Sequence, residues 1–178
     1  MLPDFIVVMG VSGCGKSAVA EELAARIAGV FLEADLLHSP ENVSHMREGR
    51  GLTDAMRWPW LATVCDAAVH APRRPVVIAC SSLKRAYRDF LRERLDGVRF
   101  VFLDGPRDLI AERMRQRPGH FATVSLLDSQ IATLERPGPD EEVVVASIAL
   151  SPGEIVAAAC AGLGLPPVAG ADPARGRI

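Results

Sequence analysis

The residues best suited to chemistry lie near the start of the chain, in Gly10-Val11-Ser12-Gly13-Cys14-Gly15-Lys16-Ser17. Gly10, four residues, Gly15, Lys16 and a hydroxyl residue is the spacing of a loop that cradles phosphates. Glycines let successive backbone N–H groups converge on an anion, so Gly10, Ser12, Gly13 and Gly15 are expected to hold a nucleotide. Lys16 would reach the β- and γ-phosphates, and the Ser17 hydroxyl would sit on Mg²⁺. Cys14 reads as a small residue tolerated in the loop, the alternative being a thiol activated by the inward N–H dipoles. Such a loop serves motors, switches, transporters and kinases alike, so the other half of the site must be read elsewhere.

For the loop to work it must follow a buried strand and open a helix. The chain supplies both: "DFIVVMG" before it reads as a strand, and "KSAVAEELAARIAG" after it as a helix stopped at Gly29. The same alternation continues. "VFLEAD", "PVVIACS", "VRFVFLDG" and "EEVVVASIAL" read as strands. "SPENVSHMREG", "WPWLATVCDAAVHA", "LKRAYRDFLRERL", "PRDLIAERMRQR" and "PGEIVAAACAGLG" read as helices. Val/Ile-rich strands separated by helices imply an α/β fold with a parallel sheet covered on both faces. Two segments break the alternation. One is 36–60, after the second strand; the other is "RPGHFATVSLLDSQIATLERPGPDE", an Arg-bearing turn and a further helix before the last strand. The reading is one domain over 1–165, with a substrate flap at 36–60, a lid region at 117–135 and a flexible tail at 166–178.

Composition narrows the classes. The 178 residues are 49% hydrophobic and 24% charged, with a formal net charge of −2. That is a globular mix with no charge excess to attract nucleic acid or a membrane surface. No apolar run is long enough to span a bilayer, the first residues lack a signal peptide's basic start, and Cys14, Cys65, Cys80 and Cys160 form no CxxC pair. A cytoplasmic location is the expectation. No NKxD-type base-reading motif is found, which argues against a GTPase. A short chain with two inserted segments has the layout of a small-molecule kinase, one flap over the acceptor and one lid over ATP.

Four stretches, "MGVSGCGKSAVA", "LEADLLHSPENVSHMREGRGLTDAMRWPWL", "ACSSLKRAYRDFLR" and "GHFATVSLLDSQIATLERP", together resemble the gluconokinase family from about Phe5 to Leu163. The resemblance implies ATP- and Mg²⁺-dependent phosphorylation of D-gluconate at its 6-hydroxyl. It also implies a three-layer P-loop kinase fold with five parallel strands in the order 2-3-1-4-5, and a homodimer. Asp35 matches the family's acid at the acceptor, able to take or orient the 6-hydroxyl proton; its other reading is a helix cap. Glu33 would lie near the metal's water shell, although relatives usually have Asp-Gly-Asp where this chain has Glu33-Ala34-Asp35. His38 and Arg57 match positions near the sugar acid. A guanidinium fork suits a carboxylate, so Arg57 is the expected clamp. A surface ion pair for Arg57 and a helix-start polar role for His38 are the alternatives.

Ser81 and Ser82 fall at the carboxyl end of the third strand, where open α/β sheets bind ligands. Lys84 and Arg88, four apart, would share a helix face and present two positive charges to gluconate or the phosphoryl group; a solvated basic face is the alternative. By resemblance to related kinases, Arg113 would stack near adenine and Arg117 would swing in with the lid to neutralise phosphate charge. Gln130 would help to shape the closed lid. Two other functions stay open at this point, a shikimate-like or other small-polyol kinase and a nucleotide-binding module without catalysis.

Overall fold

A computed structural model of the chain describes residues 2–116 and 124–165. The sheet contains β1 (Phe5–Met9), β2 (Val30–Glu33), β3 (Val76–Ala79), β4 (Arg99–Asp104) and β5 (Val144–Ser147). All four pairings are parallel and the order is β2-β3-β1-β4-β5, as the resemblance implies. The helices are α1 (Lys16–Arg26), α2 (Pro40–Arg47), α3 (Asp54–Val69), α4 (Arg85–Arg94), α5 (Arg107–Arg115), α6 (Val124–Thr133) and α7 (Pro152–Gly162). Short 3₁₀ turns occupy Ala34–Leu37 and Pro139–Glu141.

The period-2 alternation of strand side chains divides the core in two. From β1, Ile6 and Val8 face α1, α5, α6 and α7, where they meet Val19, Leu23, Ile110, Leu127 and Ile155. Phe5, Val7 and Met9 face α3 and α4, against Trp60, Leu61, Val64, Tyr87 and Leu91. Burial on both faces is why the central strands β1, β3 and β4 read as unbroken apolar runs. It also leaves the carboxyl ends of the strands, with their loops, as the place where polar groups can gather.

Three element starts differ from the sequence reading by two residues or more. The helix expected from Trp58 starts at Asp54, because the Thr53 hydroxyl accepts from the Met56 N–H at 3.4 Å and caps it there. Pro59 sits inside that helix and removes only one bond, within its first two turns. The helix expected from Leu83 starts at Arg85, since Lys84 is extended with φ −94° and ψ 148°. The fifth strand starts at Val144 rather than Glu141, whose carboxylate is drawn inward as described below. Among the described residues, no helix is long and apolar enough to cross a membrane.

Candidate active site

The loop between β1 and α1 has the backbone that its glycines predict. Gly15 caps α1 with φ +99°, and Gly13 has φ +82°. A Cβ at Gly13 would stand 2.4 Å from Met114 Cγ on α5, so the loop can lie against that helix only with glycine there. The Gly10 N–H donates to the Ser81 carbonyl at 3.3 Å, tying the loop to the end of β3. Lys16 Nζ rests on the Val11 carbonyl at 3.1 Å, and Ser17 is exposed on the first turn of α1. A concave run of amides at a helix N-terminus, with a lysine folded over it, fits a nucleotide's phosphates. Cys14 is not an activated thiol. It is buried, and desolvation pushes its pKa up despite the Lys16 charge and the loop's N–H groups.

On one side of the loop lies a cavity of about 240 Å³ lined by Ser12, Lys16, Asp35, His38, Arg57, Ser81 and Gln130, with Val43, Met46, Leu52, Trp60 and Leu126 among its walls. Segment 36–60 supplies much of it. The Ser39 hydroxyl accepts from the Asn42 N–H at 3.2 Å and starts α2, with Pro40 in its first turn.

His38 is held from three directions. Its ring stacks on Trp60 with centroids 4.2 Å apart and planes at 16°. Trp60 is itself fixed by its Nε1–H donating to the Ala34 carbonyl at 2.8 Å. The buried Asn42 amide donates to the Met56 carbonyl at 3.2 Å and sets its other N–H toward His38 Nδ1 at 3.3 Å. A donor at Nδ1 requires the lone pair there, so the ring proton sits on Nε2. Nε2 faces Asp35 Oδ1 at 3.9 Å. The His38 side chain is 3% exposed and that of Asp35 66%. Burial, the largest cause, lowers the His38 pKa; Arg57 adds to this and Asp35 opposes it. The ring is therefore neutral, and the Asp35 side chain is open to the cavity. Arg57 donates from Nε to the Leu52 carbonyl at 3.2 Å and lies over the Tyr87 ring, 5.6 Å from its centroid.

A second cavity, on the far side of the loop, is lined by Gly13, Cys14, Gly15, Arg113, Gln116, Leu150, Pro152 and Ile155. Arg113 reaches it from α5 and donates to the Ile148 carbonyl at 2.6 Å. Glu33 ends β2 in register with Ala79 and lines neither of these two cavities. Among the described residues, no group of three or more His, Cys, Asp or Glu could hold a metal ion. A Mg²⁺ held mainly by phosphates, water and the Ser17 hydroxyl fits so sparse a donor set. Arg117 lies outside the described residues.

The expected pairing of Lys84 with Arg88 is corrected. Arg88 is fully buried, and Nε and Nη2 donate to the two Glu141 carboxylate oxygens at 2.6 and 2.8 Å. Its Nη1 donates to the Ser82 and Leu83 carbonyls, both at 3.2 Å. It therefore braces the turn after β3, where Ser82 has φ +45°, and presents nothing to a ligand. Lys84, at the helix cap, binds both Asp54 oxygens at 2.8 Å and shares no face with Arg88. Sequence reasoning missed Glu141 and Asp54 as partners, because no local pattern links residues 30 to 53 positions apart. Asn42 was legible as part of a motif, but its hold on His38 was not.

The chain matches the family described as an AAA domain over residues 5–137. It is 48% identical over 144 residues to the gluconokinase of Gluconobacter oxydans (strain 621H), covering 80% of this chain and 81% of that one. It is 45% identical to the thermoresistant gluconokinase of Escherichia coli (strain K12), covering 80% and 83%. The crystal structure of a gluconokinase from Sinorhizobium meliloti 1021 superposes with a TM-score of 0.84 at 49% identity, over 92% of this chain and 93% of that one. At this identity and coverage of both chains, the chain belongs to the gluconokinase family.

Proposed function

We propose that this protein transfers the γ-phosphoryl group of ATP to the 6-hydroxyl of D-gluconate, yielding 6-phospho-D-gluconate and ADP. One observation carries the reading beyond family membership: the loop's Ser12 and Lys16 line the same cavity as Asp35, His38 and Arg57. Phosphate-binding groups, an open carboxylate and a cation thus face one space, as transfer to a hydroxylated carboxylate requires.

Arg57 is anchored through Nε, which leaves the ends of its fork to clamp the substrate carboxylate. Asp35 takes or orients the proton of the attacking hydroxyl, and His38, neutral with its proton on Nε2, faces that carboxylate and limits its swing. Lys16 and the loop amides spread the charge of the transferring group. Ser17 would hold Mg²⁺, which when bound neutralises charge on the phosphates, and Glu33, two residues before Asp35, would lie toward the ion's water shell rather than on the ion itself. Arg113 would take the base side, in the second cavity, and Arg117 would close over the phosphates from the lid. A homodimer completes the reading, on family resemblance.

ADP release over a panel of gluconate, other aldonates, shikimate and nucleoside monophosphates, with and without Mg²⁺, tests it. The expected result is Mg²⁺-dependent release with gluconate at least a hundredfold above shikimate and the nucleotides. Equal or greater turnover of another class would overturn it.

A further inference from the structure

The Ser12 N–H is already taken. It donates to Gln130 Oε1 at 2.6 Å, across 118 residues of sequence, so a residue of α6 reaches into the phosphate loop. Gln130 is half-buried and lines the acceptor cavity together with Lys16 and Asp35. Its helix is firmly seated: α6 packs on α5, Leu127, one turn earlier, is fully buried in the core that α1 and α5 also line, and the Gln130 carbonyl accepts from the Leu134 N–H at 2.9 Å. The side chain therefore extends from a fixed base.

Ser12 stands at the acceptor end of the loop, whereas Gly13 and Gly15 line the cavity at the opposite end with Arg113. An amide N–H at the acceptor end of such a loop is a donor to the phosphate being transferred. A single N–H cannot serve the Gln130 oxygen and a phosphate oxygen fully at once. A primary amide is also two-sided, accepting through Oε1 and donating through Nε2.

We propose that Gln130 is a positioning residue that reads the γ-phosphate. Its oxygen holds the Ser12 amide when no terminal phosphate is there. When one is, it yields that amide and turns its Nε2 donors to the same phosphate. The inference rests on the kinase reading of the site but not on which acceptor is used. Since ADP has no γ-phosphate, Gln130 makes α6 respond to ATP and ADP differently. A carboxylate in its place would keep the bond to Ser12 but would repel the phosphate and donate nothing.

The test is nucleotide binding by calorimetry, without acceptor, to wild type, Gln130→Glu and Gln130→Met, using a non-hydrolysable ATP analogue and ADP with Mg²⁺. Gln130→Glu is expected to weaken the ATP analogue tenfold or more while shifting ADP less than threefold. Gln130→Met, neutral but unable to donate, should weaken the analogue by a smaller factor and again spare ADP. Thermal melts identify a variant that fails to fold, in which case the other decides. Equal shifts for the two nucleotides, or none, would overturn the proposal. Because gluconate is absent throughout, failure here leaves the acceptor panel untouched, and failure of that panel leaves this result standing.

Discussion

Asp35 and His38 illustrate how neighbouring side chains divide one task. The carboxylate needs access to the acceptor and is mostly exposed; the imidazole is almost wholly covered, stacked on Trp60 and supplied with a donor by Asn42. Covering His38 keeps it neutral, because burial disfavours the charged ring more than Asp35 favours it. A neutral ring with its proton on Nε2 can orient Asp35 without neutralising it. Replacing Asp35 by Asn keeps the shape and removes the proton acceptor. Asp35→Asn should lower kcat by about 10²- to 10⁴-fold while ATP affinity stays near wild type. Steady-state kinetics beside nucleotide titration check this, and an unchanged kcat would take Asp35 out of the mechanism.

At the scale of elements, the turn from β3 into α4 depends on a distant brace. Arg88 holds the Ser82 and Leu83 carbonyls, and Glu141 holds Arg88, with Arg92 adding a contact to Glu141 at 3.3 Å. Ser81, one residue before that turn, lines the acceptor cavity and accepts from Gly10. The brace thus reaches from the strand end to the phosphate loop. Glu141→Gln leaves a buried guanidinium without its counter-charge, so unfolding free energy at pH 7 should fall by about 3–5 kcal/mol, read from urea titration. The pH dependence has a defined sign. Hydrogen bonds from Arg88, chiefly, lower the Glu141 pKa from 4.5 to about 2. Its contribution is therefore complete above about pH 4.5 and is lost as pH falls toward 2. Wild type should lose stability over that window more steeply than Glu141→Gln; parallel curves would show that the pair does not carry the effect.

For the whole molecule, two cores on opposite sheet faces leave one rim, at the carboxyl ends of the strands, where the loop, segment 36–60 and α6 converge. The proposed homodimer is checked by light scattering, with an expected mass of twice the 19.1 kDa of one chain; a monomeric mass across the working concentration range would remove it. The chain's sequence by itself determined the strand–loop–helix around Lys16, the parallel alternation and the motif that marks Asp35, His38 and Arg57. The first two are local or periodic signals, set by glycine conformation and side-chain alternation; the third is marked by its resemblance to the gluconokinase family. Tertiary structure alone decided which cations are free to meet a ligand. Arg88 and Arg57 are both arginines near apolar helical stretches, and nothing within several residues of either tells them apart. Glu141, 53 positions away, buries one in an ion pair, while Leu52 leaves the other's fork at the cavity. In the same way Gln130 reached Ser12 only through the packing of Leu127, a contact that no sequence spacing encodes.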